Sequence, residues 1–214
     1  MSLVKRKILR FSREIRQAPS ITFELLVSDL FWVMDALKIE RCVLAAESMG
    51  AMIALEAVLR CPDHFTGLVI VDGRYIGARS PARDQLIGGC KQDFFETMNA
   101  FVDACIPEAG CEAQRAWGKT MANQSNAATA IQILECVESV DVESRLHGIE
   151  TPTLILHGRR DVITPLASSE MLLKSLKNAS LVIHDEAGHV PTVARPDWVA
   201  AEINRFFSSD SARP

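Results

Sequence analysis

Two kinds of apolar pattern alternate along this 214-residue chain. Residues 22–38, "TFELLVSDLFWVMDALK", place Leu26, Leu30, Val33 and Leu37 at the spacing of one helix face. "RCVLAA" (41–46) is instead an unbroken apolar run, of the kind buried on both faces of a parallel sheet. A helical pattern then runs from about Met49 to Arg60 and stops ahead of Pro62, because the residue before a proline avoids helix. "GLVIVDG" (67–73), "TLILHG" (153–158) and "ASLVIH" (179–184) read as three more buried strands. Helical patterns occupy about 167–177 and 196–207.

This alternation predicts an α/β fold, a mostly parallel sheet with flanking helices on both faces. Functional groups are then expected at the carboxyl ends of the strands. Residues 75–147 break the rhythm. They are rich in helix formers, poor in strand signals, and punctuated by Gly88-Gly89, Pro107 and Gly110, which reads as a helical insertion. The expected organisation is a basic N-terminal segment (1–20), a core (21–74 and 148–208) interrupted by that insertion (75–147), and a tail (209–214). Within the first segment, residues 1–16 hold six Lys or Arg against one Glu. Val4, Ile8, Phe11 and Ile15 there fit a basic amphipathic helix, packed on the core or with a targeting or membrane-surface role.

Composition narrows the class without redirecting it. With 48% hydrophobic and 23% charged residues the chain suits one soluble globule. A net charge of −4 gives no sign of a nucleic-acid partner. No apolar stretch is long enough to span a bilayer. The six cysteines are scattered, with no C-x-x-C pair and no His/Cys clustering at metal-ligand spacing, so reduced thiols and a cytoplasmic location are expected. Cys105 and Cys111 are the pair for which a disulfide is conceivable.

The chemistry is suggested by "AESMG" (46–50), where Ser48 ends a strand and opens a helix. A serine at so tight a turn requires tiny residues two before and two after it, and Ala46 and Gly50 supply them. The pattern is a nucleophile elbow, G-x-S-x-G, with its first glycine replaced by alanine. A serine hydroxyl needs a base to take its proton, and the base needs a third group to fix its tautomer. Asp161 lies just past the third strand in "TLILHGRRDVITP", and His189 just past the fourth in "LVIHDEAGHVPT". Asp72, which also ends a strand, is a rival for the acid. Helix capping, turn formation and loop packing are the structural alternatives for Ser48, Asp161 and His189.

From about Ile21 to Phe207 the chain resembles the α/β-hydrolase fold superfamily, in its serine-nucleophile, esterase-like branch. The resemblance rests on "AESMGAMIALEA", "TPTLILHGRRDVITP" and "EAGHVPTVARPDWVAAEINRFF". It implies Ser48 as nucleophile, His189 as general base and then acid, and Asp161 as orienting carboxylate. It also implies that 75–147 forms a helical cap over an acyl pocket. Phe94, Phe95, Met98, Phe101, Trp117 and Met121 are then either pocket lining or, as is more usual, packing within the cap. A carboxylate-nucleophile branch (epoxide hydrolases, dehalogenases) is excluded by the serine. Ester cleavage, hydrolysis of carbon–carbon bonds, perhydrolysis and acyl transfer all remain open. Neither an organic cofactor nor a metal is implied, and the partner is a small-molecule acyl substrate.

One departure from the family pattern bears on activity. Members usually open with several strands before the elbow, one leading to a loop that gives a second oxyanion-hole donor. Only 47 residues precede Ser48 here, without His-Gly among them. The backbone N–H of Met49 is then the one identifiable oxyanion donor. The strand at 41–46 is also expected to be an apolar edge, covered by the N-terminal segment or by a second copy of the chain in a homodimer. The competing functional reading is a shortened family member with little or no turnover, binding a small apolar ligand or a partner.

Overall fold

The computed structural model describes residues 20–77, 79–138 and 140–210, so the basic segment, with its expected amphipathic helix, lies outside the described residues. Four strands form one sheet in the order β1 (Cys42–Glu47), β2 (Phe65–Val71), β3 (Thr153–Gly158), β4 (Ala179–His184), and each neighbouring pair is parallel. Helix α1 (Phe23–Leu37) precedes β1, and α2 (Gly50–Arg60) links β1 to β2. Four helices stand between β2 and β3: α3 (Pro81–Gln92), α4 (Phe94–Cys105), α5 (Glu112–Ala122) and α6 (Ala127–Cys136). Helix α7 (Leu166–Ser175) joins β3 to β4, and the short α8 (Pro191–Ala194) and α9 (Pro196–Asp210) follow. This is the α/β architecture expected from the alternation of patterns.

Period-two alternation along the central strands divides the core between two faces. Leu68, Ile70 and Ile155 pack with Met52 and Leu55 of α2, Leu172 of α7 and the buried Tyr75, Leu146 and Ile149. Val69, Val71, Leu154 and Leu156 point the other way, onto Val199 and its neighbours in α9. Every residue of β3 is buried, as its unbroken apolar run requires. Helix starts follow their caps: Thr22, Ser80, Asp93 and Asn126 each accept a hydrogen bond from an amide three residues on.

Among the described residues strand β1 lies at the edge of the sheet, as expected, although its apolar run alone reads otherwise. Its run implied burial on both faces, yet its residues alternate between half-buried and exposed, and Val43 is 40% exposed. The reason is topological. Among the described residues β1 pairs only with strand β2, and α2 covers just one of its faces. Residues Cys105 and Cys111 are buried free thiols, as are or half-are the other four cysteines, so the chain carries no disulfide between them.

The segment between β2 and β3 is tied at its base by an antiparallel bridge between Ile76 and Asp141. Buried Arg83 on α3 reaches Glu138 at 2.8 Å and the Leu134 carbonyl at 3.2 Å, fastening α3 to the end of α6. Of the apolar residues singled out there, Phe94 is buried. Residues Phe95, Trp117 and Met121 are 57%, 56% and 47% exposed, too open to pack a core. Helical geometry explains the contrast on α4, since adjacent residues sit about 100° apart and burial of Phe94 turns Phe95 outward.

Candidate active site

Ser48 follows directly on β1 with φ of 53°, a left-handed backbone that a serine rarely adopts. The strain is held from both sides. The Ser48 amide donates to the Val71 carbonyl at 2.9 Å, and its own carbonyl accepts from Arg74 at 2.9 Å and Ala51 at 3.1 Å. A Cβ built on Gly50 would lie 3.8 Å from that of Ala46, an ordinary contact. Small side chains are therefore needed at these two positions together, and a hydrogen at position 50 is not strictly required while Ala46 is present.

Asp161 sits in the turn after β3. Its Oδ1 accepts from the amides of Ile163 at 2.7 Å and Thr164 at 2.9 Å, which fixes the carboxylate plane. Its Oδ2 lies 2.8 Å from His189 Nδ1. Burial alone would raise its pKa, but the bond from His189, that residue's charge and the two amides outweigh it and hold it below the ordinary carboxylate value. The loop after β4 brings His189 in, and its Nε2 lies 2.8 Å from Ser48 Oγ. A carboxylate can only accept, so the ring proton belongs on Nδ1 and the Nε2 lone pair faces the hydroxyl. Ser48, His189 and Asp161 thus form one continuous hydrogen-bonded chain. Met49, at the head of α2, belongs to a turn whose first amides have no intrahelical acceptor.

Supports that the sequence did not single out hold the histidine. The His189 amide donates to the Cys105 carbonyl at 2.9 Å, at the end of α4. The Gly188 amide donates to Oε1 of Glu108, a carboxylate only 1% exposed, at 2.7 Å. A Cβ on Gly188 would fall 2.2 Å from Pro107 Cδ and 2.8 Å from the Cys105 carbonyl, so this loop and the corner after α4 touch at backbone distance. Thr192 of α8 donates to Glu47 Oε1 at 2.6 Å, and burial raises the pKa of Glu47. A glutamate at the corner after α4 carries no motif that marks it in advance.

Behind Asp161 lies a second buried pair. Asp72 caps β2 with φ of 44°, accepts the Gly158 amide on Oδ1 at 2.9 Å, and stands 3.3 Å from His157 Nδ1. Burial drives its pKa up to about 9; the Gly158 amide opposes this and the Asp161 charge adds to it. As a carboxylate, Asp72 would leave Oδ2 without a partner, whereas a proton there can be donated to Asp161. His157, kept neutral by burial, meets Ser169 Oγ at 2.8 Å, and its Nε2 has no hydrogen-bond partner. Asp72, His157 and Asp161 lie close enough together to share a cation. A cation would have to displace the Asp72 proton and compete with His189 for Asp161, so the donor set does not fit one. Asp72, the rival acid, faces His157, while the imidazole beside Ser48 is that of His189.

Ser48 opens into a cavity of about 640 Å³ between the sheet edge and helices α3, α4 and α6. Its walls are mainly apolar, including Leu86, Phe101, Leu134, Val162 and Ile163. Phe101 is the one residue of the six aromatic and methionine positions named earlier that lines it.

These features define an α/β-hydrolase fold with a serine at the tight turn between β1 and α2. Residues 16–192 match the family model described as serine aminopeptidase, S33, and the chain belongs to that family of α/β-hydrolase enzymes. It is 25% identical over 202 residues to the karrikin insensitive 2 receptor CA of Petunia hybrida, covering 89% of this chain and 74% of that one. It is 24% identical over 165 residues to the pimeloyl-[acyl-carrier protein] methyl ester esterase of Nitrosomonas europaea, covering 70% of this chain and 65% of that one. The esterase EaEST of Exiguobacterium antarcticum superimposes with a TM-score of 0.79 at 20% identity, over 86% of this chain and 73% of the esterase. The chain thus spans about two thirds to three quarters of the length of these relatives.

Proposed function

We propose that the protein is a serine hydrolase that cleaves a carboxylic ester or related acyl compound through an acyl-enzyme. The observation that carries this reading is the placement of His189 between Ser48 Oγ and Asp161 Oδ2, 2.8 Å from each. In the first half-reaction Ser48 Oγ attacks the acyl carbon while its proton passes to His189 Nε2. Asp161 stabilises the resulting imidazolium without taking its proton. The Met49 amide donates to the developing oxyanion. His189 then protonates the leaving alcohol, and the acyl group stays on Ser48. In the second, water gives His189 a proton and attacks the ester carbon, and Ser48 recovers its proton as the acid departs. Helices α3–α6 act as the cap that shapes the acyl site.

Covalent labelling by a fluorophosphonate tests this. Wild type is expected to label at Ser48 and to turn over p-nitrophenyl esters, with a maximum at one acyl length. Ser48→Ala is expected to lose both, turnover falling by up to roughly 10⁶ where triad members act as a unit. A folded wild-type protein that neither labels nor turns over would instead favour a ligand-binding role. The reduced thiols support a cytoplasmic location, and the half-covered face of β1 is the surface we assign to a second copy of the chain. Sedimentation velocity giving a stable monomer at high micromolar concentration would reject that homodimer.

A further inference from the structure

We infer that the cavity selects substrates bearing a carboxylate, which Arg74 binds. The inference rests on the hydrolase reading and adds the chemical class of substrate. Arg74 follows β2 by three residues, and its amide donates to the Ser48 carbonyl at 2.9 Å, so its backbone is clamped to the elbow. Arg74 lines the same cavity as Ser48 and Met49. Eight other arginines, Arg60 and Arg145 among them, have a carboxylate within ion-pairing distance. No described carboxylate lies that close to Arg74.

An unanswered guanidinium against an apolar wall is costly, and here a second cation adds to the field. Burial, with the nearby charge of Arg83, lowers the pKa of Arg74. Arg83 also lines the cavity and is 4% exposed. Two of its nitrogens are satisfied by Glu138 and Leu134. Its Nη1 is buried without a hydrogen bond, the Asp84 carboxylate standing 3.9 Å away. Glu96 is the acidic side chain on the lining, and it is solvent-exposed in the first turn of α4. Arg74 is therefore the one cation on the lining with no described carboxylate within ion-pairing distance. A carboxylate matches the planar donor fork of arginine in two-point contact, and its desolvation is offset by a half-buried charge. The apolar walls suit the methylenes between that carboxylate and the scissile carbonyl, as in a half-ester of a short dicarboxylic acid.

The test compares monomethyl glutarate with dimethyl glutarate by pH-stat at pH 8 and low salt. We expect kcat/KM to favour the half-ester by about 10- to 100-fold, the worth of a charge-assisted hydrogen bond. That ratio should fall to near one in Arg74→Gln, be partly kept in Arg74→Lys, and shrink with added salt. A wild type that prefers the diester, or a ratio unchanged in Arg74→Gln, overturns the inference. Hydrolysis of p-nitrophenyl butyrate, lost in Ser48→Ala, reports separately on the hydrolase reading. If no ester is turned over, glutarate binding to Ser48→Ala is measured by calorimetry. Binding that disappears on adding Arg74→Gln supports the subsite, and absent or unaltered binding rejects it.

Discussion

Replacing Asp72 by asparagine is expected to stabilise the protein, and to do so increasingly as pH rises. In the folded chain the Asp72 carboxyl is held at about 9 against an ordinary 3.8. Between those values the folded state keeps a proton that the unfolded state has lost, so wild-type stability falls with rising pH across that window and is unaffected by this group below it. The shift from 3.8 to about 9 sets a ceiling of roughly 7 kcal/mol at about 1.4 kcal/mol per unit. Relaxation around the charge brings the expected gain at pH 8 nearer about 1–3 kcal/mol, the range for one buried polar atom left unpaired. Asparagine keeps the Oδ1 that accepts the Gly158 amide and offers an N–H where the Asp72 proton would sit. It is also among the few residues at ease at φ of 44°. Urea melts of both proteins at pH 5 and pH 8 supply the readout. The difference in unfolding free energy should be small at pH 5 and favour Asp72→Asn at pH 8. Equal differences at the two pH values, or a variant less stable at pH 8, would refute the assignment of a proton to Asp72.

The remaining expectations concern the supports of the site and the core. Gly188→Ala forces a Cβ to 2.2 Å from Pro107 Cδ, so the His189 loop must shift; ester turnover should fall by at least about 10², the cost of a misplacement near 1 Å, with circular dichroism retained. Glu108→Ala strips the Gly188 amide of its acceptor and should cost about 1–3 kcal/mol in urea unfolding, with a lower rate of fluorophosphonate labelling. Leu154→Ala empties a fully packed position between the sheet and α9 and should cost about 2–5 kcal/mol without altering the ester-length preference.

The parallel strands were legible because burial on two faces leaves continuous apolar runs; those at 153–158 and 179–184 are observed with the predicted limits. Ser48, Asp161 and His189 were also legible, as each directly follows a strand in an order that one fold explains, and the structure brings the three side chains together. For β1 the apolar run alone misled while the expectation of an edge held among the described residues, because six residues cannot announce whether a neighbour lies on their far side. Residues Asp72, His157 and Glu108 were illegible as a set for another reason. Their significance arises from burial and from partners 80 or more residues away, such as Gly158 for Asp72 and Gly188 for Glu108. Phe95, Trp117 and Met121 are too exposed to pack within the cap, the more usual of the two expectations, because helix phase, set by which neighbour is buried, decides their direction.

The bond between the His189 amide and the Cys105 carbonyl has a consequence for engineering and for divergence. In the proposed reading of α3–α6 as a roof, that roof and the loop that aims the imidazole meet at this corner, so the roof cannot be exchanged as an independent module. A chimera importing another roof should retain reactivity only if it carries over the Cys105–Glu108 corner. New selectivity is then easiest to acquire on α3 and α6, whose remodelling leaves that corner alone.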